Sequence, residues 1–321
     1  VHSTVVTGKS IAKSIYGKPH TKSYYLGCST GGRQGFKAAQ EFPDDFDGII
    51  AGAPGIAQIS LISSSDRYYN ITGPVNSTRF ITEKMWAAIN EHQLKQCDKL
   101  DGAADGIIED PAACEFDPST LLCKSGTQND TCLTSAQNES FDMTKLTVDD
   151  VEFAIKQNPA DAQTWNGDLS AFNARKSKLI HWHGQADSIS FTSNSDRYYE
   201  HVRSTMKMGP AQLDDFYRYF RISGGEHCYG GVGAHMVGQD AVEEAGDSPE
   251  ENVLSAIVRW VEDGVAPDTL TGTKYVDDEK SRGVAFQKKH CRYPLSNVHK
   301  GVGDWKDPGS WELIEMDIVL K

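Results

Sequence analysis

A chain of 321 residues with 38% hydrophobic content holds enough apolar material for a substantial core. Its formal charge of -13, without basic clusters to offset the 45 acidic residues, argues against nucleic acid and anionic membranes as partners. The apolar stretch from Ile49 to Ile62 is broken by Gly, Pro and Gln and is too short to cross a bilayer.

The first element that carries chemistry is the β-rich run Tyr24-Tyr25-Leu26, which leads into Gly27-Cys28-Ser29-Thr30-Gly31-Gly32. A G-x-S-x-G pattern after a strand predicts a nucleophile elbow. The strand turns sharply into a helix, and the serine Oγ stands exposed beside the N–H groups of the helix's first turn. Ser29 is therefore the expected nucleophile, and Thr30 the expected backbone donor to an oxyanion. The same five-residue pattern also arises in ordinary loops, so its partners must decide.

The stretch between Ser29 and the next catalytic candidate is far longer than a couple of βα units need, which predicts an inserted segment. At its centre, Cys97 to Asp110 (CDKLDGAADGIIED) carries carboxylates at short intervals and glycines that let the backbone curl. Hard oxygen donors of this kind suit calcium. The spacing departs from the EF-hand pattern, and a solvated acidic turn has the same composition. Four sequons fall in this region, at Asn70, Asn76, Asn129 and Asn138. Clustered sequons beside cysteines predict a secreted glycoprotein. Val148 to Gln157 has helical spacing.

Beyond the insertion, Lys178-Leu179-Ile180-His181-Trp182-His183 predicts a short strand opening into Gly184-Gln185-Ala186-Asp187, where a carboxylate follows in a turn. Phe216 to Ile222 predicts another strand, with its arginines on an exposed face, running into the glycine-flanked loop that holds His227. Glu251 to Glu262 has helical spacing with an apolar stripe read as core. The order serine, acid, histidine is that of an α/β-hydrolase triad, which assigns Ser29 as nucleophile, Asp187 as orienter and His227 as general base.

The cysteines provide an independent signal. Cys28 precedes the nucleophile and Cys228 follows the histidine, so a serine–imidazole contact of roughly 3 Å brings the two thiols together. A disulfide needs Cα atoms only about 4.4–6.8 Å apart. The alternative is two unrelated buried thiols.

These motifs resemble the fungal and bacterial tannase and feruloyl esterase family, whose hallmark is a Cys-Ser pair and a His-Cys pair joined by a disulfide. The resemblance runs from about Tyr24 to Gly55 and returns at His183–Asp187 and Gly225–Gly231. It implies an α/β-hydrolase core made of residues 1–57 and 170–321, with a lid domain at 58–169. It also implies a structural calcium loop using the side chains of Asp98, Asp101 and Asp105 and the carbonyls of Ala103 and Ile107. Cys97 with Cys114 and Cys123 with Cys132 would bridge locally around it. After Gln137 the family usually carries a longer lid segment, which puts the acyl pocket in question.

An α/β-hydrolase places several strands before its elbow, and only 28 residues precede Ser29. The expectation is that the N-terminal part of the core, with the second oxyanion donor, belongs to a missing segment or a second chain, tethered through the leftover Cys291. The implied activity is that of a secreted serine carboxylesterase acting on aromatic acyl esters, feruloyl esters of plant cell-wall polysaccharides first and galloyl esters of tannins second. A bacterial relative with the same motif acts on terephthalate monoesters. A non-catalytic, hydrolase-like binding module is the alternative of a different class.

Overall fold

The computed structural model describes residues 1–61, 72–124, 130–139, 152, 155–158, 161–239 and 242–315. The sequons at Asn70 and Asn129, most of the predicted helix at 148–157 and the stretch after Gln137 that bears on the acyl pocket lie outside these residues. In chain order the principal elements are α1 (His2–Tyr16), β1 (Tyr24–Cys28), α2 (Thr30–Glu41), β2 (Gly48–Gly52), α3 (Glu83–Cys97), α4 (Ser170–Ala174), β3 (Lys178–Gly184), α5 (Thr192–Met206), β4 (Tyr217–Ile222), α6 (Val253–Asp263), β5 (Thr269–Tyr275), β6 (Val284–Cys291), β7 (Leu295–His299) and β8 (Trp311–Glu315). The chain forms two compact units, one of Val1–Ile56, Asp101–Ala103 and Thr164–Lys321, the other of Ala57–Leu100 and Ala104–Gln163. They divide near, not at, the expected boundaries 57/58 and 169/170.

The first unit is built on a four-stranded parallel sheet in the order β1-β2-β3-β4, with Tyr24 opposite Gly48, Gly48 opposite Lys178 and Leu179 opposite Tyr217. β2 (GIIAG) and most of β3 are buried on both faces, which is why β2 reads as a continuous apolar run rather than an alternating one. Successive side chains go to opposite faces. Ile49, Ala51, Leu179, Tyr217 and Tyr219 join one core with Phe36 of α2, Phe172 of α4 and Tyr198 and Val202 of α5. Ile50, Ile180, Trp182, Phe220 and Ile222 join a second core with Val253, Ala256, Ile257 and Trp260 of α6. The predicted helix at 251–262 is thus realised as α6. It is capped by Asn252, whose side-chain oxygen accepts the N–H groups of Leu254 and Ser255.

The expectation of an exposed arginine face on β4 is corrected. Arg221 is buried and donates to Ser296 Oγ at 2.9 Å, while Arg218 packs over the Trp260 ring and pairs with Asp268 at 2.7 Å. Both faces of β4 are covered, so its cations are paired and stacked instead of solvated. The backbone N–H of Tyr293, just past β6, donates to Tyr219 O on the edge of β4. Two antiparallel pairs, β5 with β6 and β7 with β8, complete this unit. Cys291 is buried at the end of β6, and its thiol donates to Leu295 O at 3.2 Å.

Among its described residues the second unit has a small apolar cluster, Ile81, Met85, Ile89, Leu121 and Leu133 with Phe116 against it. α3 is started by Thr82, whose hydroxyl accepts the Met85 N–H at 3.3 Å. A core of this size gains from covalent staples. Cys97–Cys114 and Cys123–Cys132 supply them, closing local loops of 17 and 9 residues. No helix among the described residues is long and apolar enough to cross a membrane.

Candidate active site

Parallel strands in sequential order bring the C-terminal ends of β1, β3 and β4 to one edge of the sheet, where a doubly wound α/β fold binds its ligands. Ser29 sits in the turn between β1 and α2 with φ 60° and ψ -121°, a conformation a non-glycine residue adopts only where its surroundings hold it. Its own N–H donates to Gly52 O at 3.0 Å, tying the turn to the end of β2, and its carbonyl accepts the Arg33 N–H at 3.0 Å. The glycine requirement differs from the expected one in one detail. A Cβ on Gly27 would lie 2.9 Å from the Gly31 carbonyl carbon, and one on Gly32 would lie 2.2 Å from Gly52 O. One on Gly31 would meet nothing nearer than 3.7 Å. The close approaches therefore fall at Gly27 and Gly32, the latter because α2 packs backbone to backbone on β2.

Asp187 follows β3 and His227 follows β4, as the motifs predict. His227 Nε2 lies 2.9 Å from Ser29 Oγ, and its Nδ1 lies 2.7 Å from Asp187 Oδ2. The His227 side chain is 17% exposed while the Asp187 side chain is fully buried. Burial pushes the Asp187 carboxyl up. The hydrogen bonds from His183, the Ser190 N–H and His227 outweigh it and hold the group below the usual range, so the orienting carboxylate is an anion at neutral pH. Its second oxygen, Oδ1, accepts the N–H groups of Ile189 and Ser190, both at 2.8 Å. Cys28 and Cys228 form a disulfide with Cα atoms 5.8 Å apart across 200 positions of sequence, between the residue before Ser29 and the residue after His227. Thr30 opens α2 and is exposed, and its N–H is one of the first-turn groups with no partner inside the helix.

A buried polar chain behind Asp187 is absent from the expectations. His183 Nε2 lies 3.0 Å from Asp187 Oδ2 and 2.5 Å from Ser190 O. His183 Nδ1 lies 2.6 Å from Ser195 Oγ, which lies 2.9 Å from His181 Nε2, and His181 Nδ1 lies 2.9 Å from Tyr217 Oη. All four residues are fully buried. Desolvation, with His183 beside it, holds the His181 ring well below its ordinary titration range and therefore neutral. The available signal was the alternation His181-Trp182-His183, which puts two imidazoles on one face of a buried strand.

The aspartates of the acidic loop engage its own backbone. Asp98 Oδ1 accepts the Gly106 N–H at 2.8 Å, Asp101 Oδ1 the Ala103 N–H at 2.9 Å and Asp105 Oδ1 the Ile107 N–H at 3.0 Å. Each of these aspartates thus spends one oxygen on the loop's own backbone. Among the described residues no group of three or more His, Cys, Asp or Glu side chains is arranged to hold a metal ion.

Comparison with known proteins places this geometry in a family. The family described as "Tannase and feruloyl esterase" matches residues 1–143 and 137–314, two stretches that overlap at 137–143. A probable feruloyl esterase B of Emericella nidulans is 41% identical over 98% of this chain and 70% of its own length. A probable feruloyl esterase B-1 of Aspergillus flavus is 39% identical over the same shares. Among solved structures, feruloyl esterase B from Aspergillus oryzae superposes with a TM-score of 0.92 at 38% identity, covering 98% of this chain and 73% of the other. Tannin acyl hydrolase from Aspergillus niger shares the fold, with a TM-score of 0.72 at 22% identity over 97% of this chain and 68% of the other. With its family match running along nearly the whole sequence and relatives near 40% identity, the chain belongs to the tannase and feruloyl esterase family.

Proposed function

We propose that the chain is a serine carboxylesterase that hydrolyses aromatic acyl esters, feruloyl esters of plant cell walls foremost, with Ser29, His227 and Asp187 as its catalytic residues. The observation that carries this is the unbroken contact series Ser29 Oγ, His227 and Asp187, at 2.9 and 2.7 Å, in a chain whose relatives include feruloyl esterases B. Ser29 Oγ attacks the ester carbonyl while His227 Nε2 takes its proton. Asp187 keeps Nδ1 protonated and stabilises the imidazolium. The developing oxyanion is met by the Thr30 N–H at the start of α2. The proton returns through His227 to the departing alcohol, and water, activated by the same imidazole, releases the acid from the acyl-serine.

The test is a side-by-side assay on methyl ferulate and methyl gallate with Ser29→Ala as the blank. A ferulate preference is expected. A gallate preference makes the chain a tannase, and no Ser29-dependent hydrolysis of either ester favours a binding module. The same proposal includes residues 58–169 as the lid that shapes the acyl pocket.

We propose further that the loop from Asp98 to Ile107 binds a structural calcium ion. Its donors are the hard oxygens that calcium takes, and Gly102 and Gly106 turn the backbone at φ 89° and 77°. The ion would supply charge neutralisation to the loop and no step of the reaction. Chelation is expected to lower the melting temperature, with recovery on adding Ca²⁺ and not Mg²⁺. An unchanged melting curve after chelation rules the ion out. Secretion as a glycoprotein is supported by the three disulfides and by the exposure of Asn76. Endoglycosidase treatment of the secreted protein should remove glycan from the exposed Asn76.

A further inference from the structure

We infer that His183 is a positioning residue of the triad, the last member of a buried donor chain, Tyr217, His181, Ser195 and His183, that fixes Asp187 and tempers its pull on His227. The inference rests on the catalytic reading of Ser29, His227 and Asp187 above. Asp187 Oδ2 is shared: it receives His227 Nδ1 at 2.7 Å from the front and His183 Nε2 at 3.0 Å from behind. The direction of the chain follows from the Ser190 carbonyl, which can only accept. His183 Nε2, 2.5 Å from that carbonyl, is therefore the protonated nitrogen. With one N–H assigned to each ring, His183 Nδ1 accepts the Ser195 hydroxyl, Ser195 Oγ accepts His181 Nε2–H, and His181 Nδ1 accepts the Tyr217 hydroxyl. Every donor points toward Asp187, and the four side chains are fully buried, so no water substitutes for a lost link.

Two consequences separate this role from packing. A second donor on Oδ2 disperses the carboxylate's charge, so the oxygen attracts a proton on His227 less strongly than it would alone. The chain also fixes where that oxygen lies, because His183 is held by Ser195 of α5 and by Ser190 as well as by its own strand. The titratable groups that face the chain are Tyr217 and Tyr219 of β4, with Asp196 of α5. The Tyr219 ring stacks on His181 with centroids 4.3 Å apart, and its hydroxyl donates to Asp196 at 2.9 Å. Burial raises both tyrosines well above their ordinary range, so neither ionises where an esterase is assayed.

The experiment compares His183→Leu, which fills the space without a donor, His183→Gln, whose amide N–H can reach the same oxygen, and Ser195→Ala, which cuts the chain one link back. All are measured with thermal melts, kcat and KM against pH on methyl ferulate, and the low-field proton NMR signal of the His227–Asp187 hydrogen bond. His183→Leu is expected to lower kcat about ten- to a hundredfold, the usual cost of removing an orienting partner, with KM within about twofold. Its acidic limb of kcat/KM should move up by about half to one pH unit, the worth of one neutral hydrogen bond. The low-field proton should move further downfield, and His183→Gln should restore most of each change. The proposal is overturned if a folded His183→Leu leaves rate, limb and proton signal unmoved. It is equally overturned if His183→Gln is as impaired as His183→Leu with no limb shift in either, since the chain is then only scaffold. If His183→Leu fails to fold, Ser195→Ala carries the same limb and NMR expectations in smaller measure, and no change in either overturns the proposal. The NMR signal does not depend on turnover, so loss of the esterase reading, seen as no Ser29-dependent hydrolysis in the unsubstituted protein, is distinguishable from failure of the donor chain.

Discussion

Substitution of Ser29 by alanine lowers kcat on methyl ferulate by about 10⁴- to 10⁶-fold while the protein stays folded, a result read by comparing active-site-blank rates with thermal melts of both proteins. The magnitude follows from the division of labour in the site. On the proposed mechanism Ser29 Oγ supplies the nucleophile, and its contact with His227 Nε2 at 2.9 Å is the point of proton transfer. Removing the oxygen leaves His227 and Asp187 in place with no covalent route, and what remains is the residual catalysis of binding and oxyanion contacts. The fold should not notice. The backbone at Ser29 is held at φ 60° by hydrogen bonds from its own N–H to Gly52 O and from the Arg33 N–H to its carbonyl, and alanine keeps both. A Ser29→Ala protein within tenfold of the original rate would show that another group is the nucleophile.

The triad was legible because each member lies in a short loop with a local signature and the three come in a fixed order. Ser29 is marked by Gly27, Asp187 by the glycine-containing turn after a short strand, and His227 by the glycines at 224, 225, 230 and 231. The disulfide partners were legible because they neighbour two of those residues. The chain behind Asp187 was not, because it is made by packing rather than by a motif. Ser195 meets both imidazoles only because α5 lies on the face of β3 that carries His181 and His183. Nothing in the peptide Thr192 to Asp196 announces that contact. The arginines of β4 were misassigned for a related reason. Charge spacing along one strand shows that Arg218 and Arg221 alternate with apolar neighbours, and only the fold shows that Trp260, Asp268 and Ser296 wait for them. In the acidic loop the sequence displays how many carboxylates there are, and the structure shows that the backbone N–H groups of Ala103, Gly106 and Ile107 engage them.

Replacing both Cys28 and Cys228 by serine is expected to cost about 5 kcal/mol of stability and most of the activity, a pairing of effects that the two local bridges of the second unit would not produce. The stability term comes from loop closure. The bridge spans 200 positions, against 17 and 9 for the others, and in the entropic account the denatured chain regains the most freedom when the longest loop is opened. For a chain of this size that is a fall in melting temperature on the order of 10 °C. The catalytic term comes from adjacency. Ser29 and His227 are each one residue from a bridged cysteine, and both Ser29 and Cys228 hold positive φ, at 60° and 63°, so the covalent tie ends on one strained residue and adjoins the other. Once the tie is gone, a shift of about 1 Å in either loop is enough to cost on the order of a hundredfold in rate. Urea unfolding and kcat on the double variant, at temperatures where it is fully folded, separate the two terms. Loss of stability with kcat within twofold would make the bridge a staple for the fold alone, and loss of kcat with unchanged unfolding would place its whole effect at the active site.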